Sequence, residues 1–254
     1  MPEIKIPDKW GSIPLSEAFK EDDDKKTDLP QQQGKVLQVN ANIDPSEYVR
    51  IPSTDILIAR KEKFQNLNWE DTHYKLAENG LFMPAPALFI KYFSDVISAR
   101  EKKLKIYDGN NKELSKDEIQ KLYNYLTEKQ SWHGSWLDAK FVKMGSNLEL
   151  ETEHKVILNK GKKELQGKRY PLEKCLTEDC FAELKFNKQG LAVEKSKKQD
   201  YKQGENIYFW YPREGQVARF GANSDRANLN CNRNPTNTNS VLGVFSCYGE
   251  LNKK

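Results

Sequence analysis

At 254 residues with 37% hydrophobic content, the chain is long enough for one large domain carrying an extension, or for two small ones. Its 41 Lys and Arg against 37 Asp and Glu leave only +4, spread through mixed-sign segments. No arginine-rich groove interleaved with aromatics stands out, which argues against a nucleic-acid partner.

No basic region followed by an apolar run opens the chain, so no secretory signal is expected, and no run reaches the ~18 apolar residues of a membrane span. Four cysteines are too few for a disulfide scaffold of this length; Cys175 and Cys180 are close enough to bridge across a turn or to stay as free thiols. Residues 1–44 read as an N-terminal extension. Ile4, Ile6, Trp10, Ile13 and Leu15 form a tail able to dock, and Phe19 to Gly34 combine an acidic run, Pro30 and glutamines as a linker. The domain proper is expected over 45–254.

Lys35 to Asn40 reads as a strand, and Tyr48 to Ile51 and Asp55 to Ala59 as further strands broken at Pro52. A helix follows, capped by Asn68, acidic in its first turn and ended by Asn79-Gly80, with Trp69, Thr72, His73 and Leu76 on one stripe. Pro86 opens a second helix to about Ala99, its apolar face made by Phe89, Tyr92, Phe93, Val96 and Ile97. Ser115 with Glu118 spells a capping box for a third, carrying Ile119, Leu122, Tyr123 and Leu126. Beyond Trp136 the period falls to two: Leu148 and Leu150, then Val156 and Leu158, mark strands. Lys155 to Lys202 reads as a solvated surface. Asn206 to Tyr211, Gln216 to Phe220 and Val241 to Phe245 are further strands, and large aromatics such as Tyr208, Phe209, Trp210 and Tyr211 are expected in the core. Helices segregated from a long antiparallel run define an α+β fold.

The stretch from Asn228 to Asn234 places asparagine at every second position. Side chains alternate along a strand, so Asn228, Asn230, Asn232 and Asn234 are expected to form one outward row and Ala227, Leu229 and Cys231 to face in, with Arg233 at the end of that inward row. Turning the row inward would cost roughly 1–3 kcal/mol for each amide left unpaired. A surface of interchangeable polar groups suits binding better than catalysis.

Two stretches carry a family resemblance. Trp69-Glu-Asp-Thr-His, Leu76, and Asn79-Gly-Leu-Phe-Met-Pro-Ala-Pro resemble the two-helix opening of C-type-lectin-fold domains related to formylglycine-generating enzymes. Val217-Ala-Arg-Phe-Gly-Ala, through Cys231 and Pro235 to Ser240-Val-Leu-Gly-Val244, resembles the variable region of diversity-generating retroelement target proteins, especially those of archaea and their viruses. Cys175-Leu-Thr-Glu-Asp-Cys180 and Gln203 to Arg213 fit the same group, and the likeness covers roughly 45–247. It implies an α+β, C-type-lectin-like fold with two or three helices on antiparallel sheets and a variable region over 217–244. It also implies a reverse transcriptase that rewrites adenine-bearing codons, asparagine's among them. The changeable, ligand-binding positions would be Gly221, Asn223, Arg226, Asn228, Asn230, Asn232, Arg233, Asn234, Asn237 and Asn239. Ala222, Ser224, Asp225, Ala227, Leu229, Cys231 and Pro235 would be the fixed scaffold. The implied partner is a protein or cell-surface ligand, with no cofactor, no metal and no catalytic residue, in a cytoplasmic or virion-associated protein. A row of asparagines without aromatic anchors would bind weakly. Phe245 and Cys247 depart from the pattern, which has a basic residue after Leu-Gly-Val and no cysteine.

The alternative is a lectin-fold oxidase of the formylglycine-generating type, using Cys231 and Cys247. Against it, Cys231 falls on the inward face, where thiols are usually inert. His73, His133 and His154 are far apart with no metal-ligand spacing, and read as satisfied or surface side chains. Glu205-Asn206 is a single acid–amide pair, weak as a calcium signal.

Overall fold

The computed structural model describes residues 35–36, 41–52, 54–129, 131–223 and 225–249. The predicted tail and linker, the end of the first strand after Val36, and Ser224 lie outside them.

Three helices form where capping and periodicity place them. In α1 (Trp69–Glu78), Asn68 accepts from the Asp71 amide, and Trp69, Thr72, His73 and Leu76 make the buried stripe. α2 (Pro86–Arg100) starts at its proline and is buried on most sides. α3 (Lys116–Thr127) carries the complete capping box of Ser115 and Glu118.

The strands form two sheets among the described residues. The larger has nine: β1 (Lys35–Val36), β5 (His133–Met144), β6 (Asn147–Asn159), β7 (Lys162–Pro171), β8 (Cys180–Glu183), β9 (Asn206–Trp210), β10 (Val217–Ala222), β11 (Ala227–Arg233) and β12 (Leu242–Gly243). The smaller joins β2 (Tyr48–Arg50), β3 (Leu57–Ala59), β4 (Tyr107–Asp108) and β13 (Cys247–Tyr248). The architecture is α+β. Its large sheet is mixed rather than purely antiparallel, because β11 runs parallel to β9 and β12 parallel to β5. The stretch from Lys155 to Lys202, expected as a solvated surface, is not solvated throughout: Ile157, Ala182, Phe186, Leu191 and Ala192 are buried, because its apolar residues reach the core between the lysines. Its strand β7, by contrast, has no fully buried residue, and its alternation carried no apolar signal. The last predicted strand is split: Leu242 and Gly243 pair in the large sheet, then the chain crosses to the small sheet at Cys247.

One face of the large sheet holds the main core. Phe220 meets Phe89 and Phe93 of α2 with ring centroids 4.8 and 5.2 Å apart, and Ala227, Leu229 and Cys231 lie in the same cluster. On the opposite face, Trp69 and Leu76 of α1 pack with Trp136, Val217, Leu242 and Val244. No residue of β8, β9 or β11 belongs to that second cluster.

Candidate recognition face

Register fixes what shares the rest of that second face. Arg219 stands opposite Asn230, and Gly221 opposite Asn228. The parallel pairing sets Asn228 beside Tyr208 and Asn230 beside Trp210, and Tyr208 faces Phe181 across β8. The face therefore carries asparagine, arginine and aromatic side chains together. Leu229, at 0% exposure, points the other way with Ala227 and Cys231.

The aromatic block is the first correction. Ile207 and Phe209 are buried as expected of core, but Tyr208, Trp210 and Tyr211 are partly exposed. The alternation of a strand divides the block between two faces. Tyr208 and Trp210 pack at 5.2 Å between ring centroids, Phe181 meets Tyr208 edge-on at 5.0 Å, and the Arg226 guanidinium lies 4.2 Å from the Tyr208 ring centre. Such cation–π contacts are worth about 0.5–1 kcal/mol at exposed sites.

The asparagine row is the second. Asn230 and Asn232 are half-buried and Asn234 is exposed, but Asn228 is only 2% exposed and its Oδ1 has no hydrogen-bond partner. Its partner Gly221 is also buried, and a Cβ there would come 2.8 Å from the His133 carbonyl oxygen. These two positions are interior to the face, with no room for a side chain at Gly221 and an unpartnered amide oxygen already enclosed at Asn228. Several amides are also occupied. Asn234 Oδ1 accepts from the Thr236 amide (2.9 Å), Asn239 Oδ1 from Val241 (3.0 Å) and Asn230 Oδ1 from Asn232 (2.8 Å), the first two as Asx turns that shape the loop after β11. Turned about, the Asn223 amide donates to Asp225 Oδ1 (2.8 Å) and the Arg226 carbonyl (3.0 Å), closing the β10–β11 hairpin. Among the described residues, the Asn232 and Asn237 side chains have no such partner.

Arg219 and Arg233 add charge. A Cβ on Gly134 would meet Arg219 Nη1 at 3.1 Å, and one on Gly221 would lie 3.8 Å from its Cζ, so the guanidinium rests over two glycines. Burial, then the neighbouring Arg233, lowers the Arg219 pKa to about 10, which leaves it charged at neutral pH. The Nε atoms of both arginines are buried without a partner. Neither arginine forms an ion pair among the described residues, whereas Arg226 pairs with Asp225 at 2.8 Å. Sequence reasoning singled out Arg226 and Arg233 but missed Arg219, Tyr208 and Trp210. Gly134 and Gly221 at sheet positions were the available signal for a close approach.

The loop after β11 is anchored on α1. The Trp69 amide donates to the Pro235 carbonyl (3.0 Å), and the Asn66 amide to that of Asn239 (3.3 Å). Asn234, Asn237 and Asn239 thus extend the face beyond the strand.

The histidines are the third correction. His73, Asp138 and His154 converge: His154 Nδ1 lies 2.5 Å and His73 Nε2 3.5 Å from Asp138 Oδ1. Burial pushes His73 down to about 4; burial also opposes the charged form of His154, but Asp138 and Glu151 outweigh it and raise His154 to about 9. His133 is buried elsewhere, stacked on Tyr125 and 2.7 Å from Glu62 Oε1.

All four cysteines are free, so Cys175 and Cys180 are not bridged. Cys231 and Cys247 are fully buried in different sheets, and burial holds both thiols well above the ordinary range. Glu205 pairs with Lys198, and Asn206 is used inside its own turn, accepting from the Lys202 amide (2.8 Å).

Fold and face together define an α+β protein with a polar, aromatic and cationic patch on its large sheet. No family model, no curated protein and no solved structure matches the chain. Among the described residues no helix is long and apolar enough to cross a membrane.

Proposed function

We propose that the chain is a non-enzymatic ligand-binding protein: a C-type-lectin-like domain whose β9–β11 face and adjoining loop form a recognition surface open to retroelement diversification. The carrying observation is the division of roles along β11. Ala227, Leu229 and Cys231 are fully buried on the main-core face, while Asn230, opposite Arg219, and Arg233, opposite Val217 beyond a one-residue bulge of β11 that takes in Asn232, stand on the other face. Such a strand tolerates exchange on one side and not on the other. Tyr208 and Trp210 supply the aromatic area that the asparagines lack, and aromatic anchors beside adaptable polar groups are the composition of antibody paratopes. Arg219 and Arg233, without an ion pair among the described residues, favour a protein or cell-surface ligand bearing carboxylate or phosphate groups.

Sequencing the locus tests the diversification: a near-identical repeat with adenine-bearing codons beside a reverse-transcriptase gene is expected, and a locus with neither would count against it. A library varied at Asn230, Asn232, Arg233 and Asn237 tests the surface. Selected binders should lose affinity on Trp210→Ala and keep it when Cys231 and Cys247 become serine. Loss of function only in the serine variant would favour thiol chemistry instead.

A further inference from the structure

β5 and β6 are both irregular at the level of α1. Against β10, β5 advances from Trp136 to Lys140 while β10 moves only from Arg219 to Val217, and Asp138 stands in the surplus. Against β7, β6 advances from Thr152 to Lys155 while β7 moves from Lys168 to Gln166, and His154 stands in that surplus. Glu153 before it holds a left-handed backbone at φ 54°, a conformation that costs a non-glycine residue about 1 kcal/mol or more. Bulges of this kind re-aim side chains beside functional sites. Here they turn Asp138 and His154 towards each other and towards His73 on α1.

The surroundings orient each group. Arg169 Nε donates to Glu151 Oε2 at 2.6 Å, and Glu151 Oε1 lies 3.1 Å from His154 Nε2, which leaves Nδ1 facing Asp138. Asp138 Oδ2 accepts from the His154 amide at 3.0 Å, so Oδ1 is the oxygen presented to both imidazoles. Trp69 packs edge-on against both rings, at 4.5 and 5.0 Å. Gly167 on β7 makes the room: a Cβ there would come 2.5 Å from His154 Nε2 and 2.8 Å from Glu151 Cγ. Within this fitted cluster His73 Nε2 is buried with no hydrogen-bond partner. An orphaned nitrogen aimed at a carboxylate, next to a histidine held from behind by a second carboxylate, is the arrangement of carboxylate–histidine–metal sites.

We propose that His73 Nε2, Asp138 Oδ1 and His154 Nδ1 bind a divalent metal ion of the zinc class. These atoms lie within 4.8 Å of one another. Zinc ligands sit at about 2.0–2.2 Å from the metal, hence roughly 3–4 Å apart, so a closure of about 1 Å completes the set. The ion takes the place of the proton that His154 Nδ1 shares with Asp138, and gives His73 Nε2 a partner. Two imidazoles and one carboxylate suit zinc better than calcium or magnesium, which prefer oxygen ligands throughout. The three side chains are 5%, 6% and 1% exposed, so the ion clamps α1 to the sheet rather than meeting a substrate. Because the start of α1 holds the loop of Asn234 to Asn239, the clamp steadies one side of the recognition face.

Metal analysis of the full chain, purified without a histidine tag from zinc-supplemented medium, is the test. About one zinc per chain is expected, three protein ligands leaving the fourth position of the tetrahedron to a water. A chelator should lower the wild-type melting temperature and added zinc restore it. His73→Gln should carry no stoichiometric zinc and show no response to either. Glu151→Gln, which alters only a positioning residue, should weaken zinc binding roughly 10–100-fold. A wild-type chain that takes up no zinc and melts identically with chelator or zinc overturns the proposal, as does a His73→Gln chain that retains the metal. If His73→Gln fails to fold, the wild-type response alone decides.

Discussion

Arg219 spreads its guanidinium over Gly134 and Gly221, with Arg233 as its charged neighbour and no acid paired with it among the described residues. Holding a partly desolvated cation beside another costs folding energy, and residues of this kind persist where a ligand uses them. Arg219→Met should therefore raise the melting temperature by a few degrees, the equivalent of about 1 kcal/mol in a chain of this size, while weakening capture of acidic ligands. A lowered melting temperature would mean that the guanidinium supports the sheet instead. The asparagines divide by the same reasoning. Asn232→Tyr and Asn237→Ser remove no hydrogen bond and should leave stability within about ±0.5 kcal/mol in denaturant titration. Leu229→Asn puts an unpaired amide into the main core and should cost on the order of 3 kcal/mol or more. Equal losses in the two sets would mean that the faces of β11 are reversed.

Among the elements, α3 gives the clearest pH signature. The Ser115 amide first, then Arg60 and the Ser115 hydroxyl, hold the Glu118 carboxyl down at about 2 against an ordinary 4.5. The folded pKa lies below the unfolded one, so the unfolded chain binds the extra proton between these values. The contribution is complete above about pH 4.5 and is lost as pH falls towards 2. Urea midpoints should fall across that window, and Glu118→Gln should flatten the slope. Ser115→Ala should cost about 1 kcal/mol at neutral pH, as loss of an N-cap usually does. The caps of α1 and α3 were legible in the sequence because capping is local chemistry within four residues. β7 was not: Lys162 to Pro171 has no fully buried face, and its pairing with β6 supplies the order that its own pattern lacks.

At the scale of the molecule, the end of the described chain fastens the two sheets together. Leu242 and Gly243 pair with β5, Phe245 is fully buried beside Phe89 and Tyr92, and Cys247 pairs with Ile58 in the small sheet. Deleting residues 241–254 should therefore abolish cooperative unfolding rather than trim an edge, a result near-ultraviolet circular dichroism and calorimetry would register. Survival of a sharp transition would place the core elsewhere. The sequence by itself determined the three helices, the inward row of Ala227, Leu229 and Cys231, and the α+β class, because caps, periodicity and alternation are set by neighbours along the chain. Tertiary structure alone decided the burial of Asn228 and Gly221 and the exposure of Tyr208 and Trp210 beside the asparagines. It also decided the meeting of His73, Asp138 and His154 from three elements. Each of these depends on which strand lies alongside and where a bulge shifts the register, and pairing between distant segments leaves no mark on any one of them.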